Sequence, residues 1–188
     1  MINKIKKRPG NENYIDIVDR ILKNTNDAGI INYVFVMTGI PNTSIEGEAK
    51  TISYLINNKN IHVLALGSFV IDKDSPIHIN DLIRNKYNIQ INNIGDMTTE
   101  IGYFIKGADA RDSIQKRTIK YALEVYKNRA DLALTAIIND EIRFILASNF
   151  GNNFAQKFIS SCNSNQRKNI INDAIKKCYE ERIKRELG

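Results

Sequence analysis

The chain of 188 residues has no tryptophan, three prolines and two cysteines. Cys162 and Cys178 are too few and too poorly placed for a disulfide framework or a cysteine-built metal site, so a reducing, cytoplasmic compartment is expected. No apolar run approaches the roughly 20 residues a membrane helix needs, and no membrane partner is expected. The basic N-terminus is not followed by an apolar stretch, which argues against a secretory signal. The nucleotide signatures GxGxxG and GxxxxGK[ST] and the nucleophile elbow G-x-S-x-G are also missing. So are internal repeats and Ser- or Gly-rich linkers.

What is present is globular. Hydrophobic residues make up 43% and charged residues 26%, which excludes global disorder. Asn, Ile and Lys are frequent, as an AT-rich coding sequence would produce, and this weakens any argument from a local Asn or Lys cluster. The net charge of +6 can steer a protein toward phosphate-bearing partners without specifying a fold. Lys4, Lys6, Lys7 and Arg8 make residues 1–12 a basic, flexible arm. A second basic cluster spans 106–129, where Arg111, Lys116, Arg117 and Lys120 line one side of an expected helix. Aromatic residues, which stacking on bases would require, are thin in both clusters, and a solvated surface is the plainer reading.

The pattern along the chain predicts a mixed α/β fold. Tyr14, Ile15, Val18, Ile21 and Leu22 recur at helical spacing, with Gly29 as a stop. An apolar strand over 31–37 leads through Thr38-Gly39-Ile40-Pro41-Asn42-Thr43-Ser44 into a helix with a Thr43/Glu46 capping box and a stripe of Ile45, Ala49, Ile52, Leu55 and Ile56. A second strand over 61–71 completes a βαβ unit. Ile89, Ile91 and Ile94 alternate with polar residues, and 99–105 is read as an antiparallel return. Asp109 caps a long helix to Asn128, with Ile114, Ile119, Ala122, Leu123, Val125 and Tyr126 as its stripe. Leu132–Ile138 and Glu141–Ala147 flank Asn139-Asp140 and are read as an antiparallel hairpin, although glycine is missing from the second turn position. A short helix carries Phe154, Phe158 and Ile159. A closing helix over 166–187 has Ile171, Ile175, Tyr179, Ile183 and Leu187 at every fourth position, a drifting stripe that suits packing on its own sheet more than a coiled coil. The expected organisation is a single domain over 13–165 with five to seven strands and terminal helices packed on the sheet. Residues 166–188 are left for packing or for association, including with a second copy.

Candidate chemistry sits first at the carboxyl ends of the two parallel strands, where such sheets bind ligands. Thr38, Gly39, Asn42, Thr43 and Ser44, with the helix N-terminus behind them, would bind a small anion, and Gly67 and Ser68 would form the opposite wall. The plain alternative is that Thr43 caps the helix and Gly39 relieves a tight turn. On the ligand reading, Gly39→Val abolishes binding and leaves the thermal midpoint largely intact. Glu48-Ala49-Lys50 has the letters of an E-x-K metal-nuclease motif, but that motif belongs on a strand. Asp72, Asp74, His78 and Asp81 are the densest set of oxygen-rich metal ligands; Asp72 and Asp74 would suit Mg²⁺, and Asp72 or Glu46 would serve as a catalytic carboxylate. Their plain reading is a polar turn. His62 lies within an apolar strand and reads as a core histidine.

The segment Val34-Phe35-Val36-Met37-Thr38-Gly39, then a helix and a strand ending Leu66-Gly67-Ser68, resembles the opening of Rossmann-like nucleotide-sensing or nucleotide-hydrolysing domains over about a fifth of the chain. The glycine-rich loop with a paired acid of those domains is missing, and no family is assigned. The leading expectation is a domain that binds a nucleotide or other phosphate compound, with the question of catalysis open. The alternatives are a non-catalytic interaction or regulatory protein acting through its basic surface and closing helix, and a nucleic-acid-binding or metal-dependent nuclease domain.

Overall fold

A computed structural model describes residues 14–92, 100–106 and 111–187. The basic arm, Ile94, Thr99 and Asp109 therefore lie outside the described residues. Elements follow in the order α1 (Tyr14–Asp27), β1 (Tyr33–Thr38), α2 (Ile45–Asn57), β2 (Val63–Ser68), β3 (Ile71–Asp72), α3 (Pro76–Ile79), α4 (Asp81–Lys86), β4 (Ile89–Ile91), β5 (Glu100–Ile101), β6 (Tyr103–Ile105), α5 (Arg111–Asn128), α6 (Ala130–Ile137), α7 (Asp140–Phe150), α8 (Phe154–Ser161) and α9 (Ser164–Leu187).

The architecture is mixed, but helix accounts for 63% of it and the sheets have two strands each. β1 and β2 pair in parallel with Tyr33 opposite Val63 and Thr38 opposite Ser68, and α2 forms the crossover, as the sequence predicts. β3 pairs antiparallel with β5, and β4 antiparallel with β6. The expected hairpin about Asn139-Asp140 is absent: both of its arms are helices, α6 and α7. Asn139 is the N-cap of α7, its side chain accepting from the Ile142 N–H at 2.9 Å. Asp140 and Glu141 then fill the first turn, where the helix dipole favours acids.

Two apolar clusters result. The larger joins Leu22, Ile52, Leu55, Ile61, Leu64, Tyr121, Val125, Leu132 and Ala174. The smaller joins Phe69, Ile71, Ile89, Ile101, Tyr103 and Ile105, with Phe69 and Tyr103 edge to face at 5.5 Å and the Tyr103 hydroxyl donating to the Phe69 carbonyl at 2.6 Å.

Alternation along β1 and β2 turns Val34, Val36, Leu64 and Leu66 toward the larger cluster, so Tyr33, Phe35, Ala65 and Gly67 face the other way. α9 packs not on a sheet but on α5 and α6. Ala174 is fully buried there, with Ile170, Ile171 and Cys178 beside it, and Tyr179 stays exposed. The buried stripe thus runs one position off the expected one.

Buried polar side chains lock the larger cluster. Arg129 is 1% exposed. Its Nε and Nη2 form a bidentate pair with Asp131, at 2.9 and 2.7 Å. Nη1 donates to the carbonyls of Leu55 and Asn58, and Nη2 also to that of Ile61. One guanidinium thereby ends α2, starts β2 and holds α6. His62 is the core histidine expected. Its Nδ1 accepts the Asn32 N–H at 2.9 Å, so Nε2 carries the proton toward Asn26 Oδ1 at 3.0 Å and Asn153 Oδ1 at 3.2 Å. Burial pushes its pKa below the usual value.

Candidate functional site

Parallel pairing brings Thr38-Gly39 and Gly67-Ser68 to one edge, where a ligand is expected. The local structure there is a bent turn: Gly39 has φ +69° and Asn42 φ +64°, and Thr43 N–H closes on the Ile40 carbonyl at 3.0 Å. The helix cap is Ser44, one residue beyond the expected Thr43, and its hydroxyl accepts from Gly47 N–H at 3.0 Å.

Two donors at this edge are engaged within the chain. Gly39 N–H donates to Glu48 Oε1 at 2.5 Å. Glu48 Oε2 receives Arg117 Nε at 2.8 Å, and Tyr121 also hydrogen-bonds this carboxylate. Burial, then the adjacent Glu48 charge, raises the Tyr121 pKa above its ordinary value. The Thr38 hydroxyl meets that of Thr118 at 2.5 Å, and Thr118 donates to the Ile114 carbonyl at 2.9 Å. α5 therefore packs down on the end of β1. A Cβ on Gly39 would lie 2.2 Å from Ile114 Cγ2, so this position requires glycine for space as well as for φ.

Glu48 is the residue that pattern reasoning misplaced. It is 5% exposed, and Ala49, expected in the buried stripe, is exposed. A glutamate rarely occupies a core position unless paired, so only its partners Gly39 and Arg117, far away in sequence, account for it. The E-x-K triplet does lie on a helix, with Lys50 turned out to Glu46 at 2.7 Å.

Asp72 ends β3 and is exposed. Asp74 has φ +64° and is exposed. Its N–H donates to His78 Nδ1 at 2.9 Å. Asp81 pairs with Arg84. Among the described residues no group of three or more His, Cys, Asp and Glu side chains could hold a metal ion. Nor is any helix among them long and apolar enough to cross a membrane. Lys116 and Lys120 are exposed while Arg117 turns in to Glu48.

The unusual surface lies elsewhere. α7 carries no buried residue, yet Phe144 is 73%, Ile145 59% and Phe150 61% exposed. Beside it, Tyr33 and Phe35 project from the outer face of β1, and Phe35 reaches across Gly67. A groove of about 460 Å³ runs between Ile30, Tyr33 and Val63 on one side and Arg143, Phe144 and Ala147 on the other. The Arg143 guanidinium stacks over the Tyr33 ring at 5.9 Å and donates to the Ile138 carbonyl, which seats the start of α7. On another stripe of α7, a cavity of about 390 Å³ opens between α6, α7 and α8. The sequence signal for this surface was the run of apolar residues in 142–150, which was absorbed by the strand reading.

No family model, characterised protein or solved structure matches this chain.

Proposed function

We propose that this chain is a non-catalytic binding protein that docks a protein partner through α7 and the outer face of β1–β2. One observation carries the reading: α7 buries none of its residues, exposes Phe144 and Ile145, and lines a groove through Phe144 with Tyr33 of β1, whose face-mate Phe35 is also exposed. Monomers rarely leave contiguous apolar patches open unless something binds there, and aromatic residues at a patch centre are the usual anchors of interfaces. Parallel strands are ordinarily covered on both faces, and a partner would supply the layer that β1–β2 lacks on this side. Recognition is thereby assigned to this flank in place of the basic surface and closing helix.

A photo-crosslinking residue at Ile145 tests it in the cells that make the protein. A discrete adduct that disappears with Phe35→Asp is expected; no discrete adduct overturns the reading. Sedimentation velocity of the purified chain then separates a second copy from a different partner.

A second reading, a site for a nucleotide or other small anion among Thr38, Gly39, Asn42, Thr43, Ser44, Gly67 and Ser68, draws support from the position of both strand ends at one edge. It is weaker because Gly39 N–H and the Thr38 hydroxyl are already hydrogen-bonded inside. A thermal-shift screen of nucleotides and phosphates, with and without Mg²⁺, distinguishes the two: no shift is expected, and a saturable shift would restore the anion site.

A further inference from the structure

The cavity between α6, α7 and α8 is lined by Leu134, Ile138, Leu146, Phe150, Phe154, Lys157 and Phe158. Its volume of about 390 Å³ falls within the roughly 300–1,000 Å³ typical of small-molecule sites. Phe154 is 7% exposed and closes the inner end, while Phe150 and Phe158, at 61% and 52%, stand at the solvent side. Lys157 is the one polar side chain in that lining. Its stem lines the cavity, and its exposed Nζ donates to the Phe150 carbonyl at 3.1 Å, at the solvent end beside Phe150. An ammonium has more N–H donors than this single bond uses.

Those facts define an occupant. An apolar lining has no partners for polar groups along a ligand's length, and burying such groups unpaired is costly. A single cation at the solvent end accepts one negative group there. We propose that this cavity binds a small aliphatic carboxylate, the alkyl chain lying among Leu134, Leu146, Phe154 and Phe158 and the carboxylate on Lys157. The site uses Leu146 and Phe150 of α7, whereas the groove against β1 uses Arg143, Phe144 and Ala147. Occupancy would also give α7 the apolar contacts it lacks, so ligand binding and the presentation of Phe144 are linked through one helix.

The test is calorimetric titration of the full chain with decanoate, decanol and decyltrimethylammonium, each below its micelle-forming concentration. Saturable binding of decanoate is expected, tighter than decanol and much tighter than the cation. Lys157→Gln keeps a donor for Phe150 but removes the charge, and should weaken decanoate about ten-fold or more while leaving decanol unchanged. Leu134→Trp should abolish both, with circular dichroism confirming that it is folded; if it is not, Phe158→Ser, at an exposed position, replaces it and should weaken both. The proposal is overturned if no probe binds saturably, if decanoate and decyltrimethylammonium bind alike, or if Lys157→Gln binds decanoate as the parent does. Phe144→Ser should leave decanoate binding intact, which separates failure of this site from failure of the protein-docking face.

Discussion

At the carboxyl end of β1, polar groups placed to meet a ligand meet each other: Gly39 with Glu48, Glu48 with Arg117, Thr38 with Thr118. On α7 the apolar groups that could meet a core meet water, with Phe144 73% exposed. The position of a site in a fold is therefore a poor guide to whether it is open. The carboxyl edges of parallel strands bind ligands when loops leave donors free; here the first turns of α5 bring Ile114, Arg117 and Thr118 down onto the end of β1. The α7 flank is the reverse case, a helix that packs partly on α8 and leaves Phe144 and Ile145 uncovered by the described residues.

Substitutions on the two sides should differ in kind. The largest loss is expected for Arg129→Met. It strands Asp131 and the Leu55, Asn58 and Ile61 carbonyls in the interior, which should cost about 3–5 kcal/mol in urea denaturation. Gly39→Val comes next. The 2.2 Å approach to Ile114 and the positive φ together should cost about 3 kcal/mol or more, the opposite of the sequence-based expectation that the midpoint survives. An unchanged midpoint would show that the strand edge is not sealed.

His62 gives a smaller and pH-dependent effect. Its folded pKa lies below the unfolded 6.5, so the unfolded chain takes up the proton first as pH falls. The contribution is complete above that value and shrinks as pH drops from 6.5 toward the folded pKa. Thermal midpoints measured from about pH 7 down to about pH 5 should fall more for the parent chain than for His62→Asn. Smallest in stability is Phe144→Ser, expected within about 0.5 kcal/mol of the parent and yet removing the crosslinked partner. A loss of several kcal/mol there would mean that α7 is part of the core after all.

The sequence was a good guide where neighbours in the chain determine structure. The βαβ unit and the Gly29 stop follow from apolar period and turn residues, whereas of the return expected over 99–105 only Tyr103–Ile105 pairs with β4, and Glu100–Ile101 pairs with β3. It failed at 130–150, because the apolar run of α6 is that of a helix buried in the core and the run of α7 that of a helix exposed at the surface. Neither shows the amphipathic period that would separate helix from strand. Asn139-Asp140, read from the sequence as a hairpin turn, is equally an N-cap and the start of the acidic first turn that Glu141 continues. At the strand edge the residues were found but their state was not. Arg117 lies 69 residues from Glu48 and Thr118 lies 80 from Thr38, and no local pattern announces that they meet at this edge.

Arg129 reaches back 74, 71 and 68 residues to Leu55, Asn58 and Ile61. The intervening chain, including the Phe69–Ile105 cluster, leaves the clamp at β2 and returns to it through α5, so it hangs from a closed ring. Closing a ring of that length is slow and comes late in folding. Once shut, it lets the hanging lobe open and close locally without releasing the rest. Amide exchange in β3 to β6 should accordingly outpace exchange in α2, β2 and α6, which gives the protein one part that breathes and one that does not.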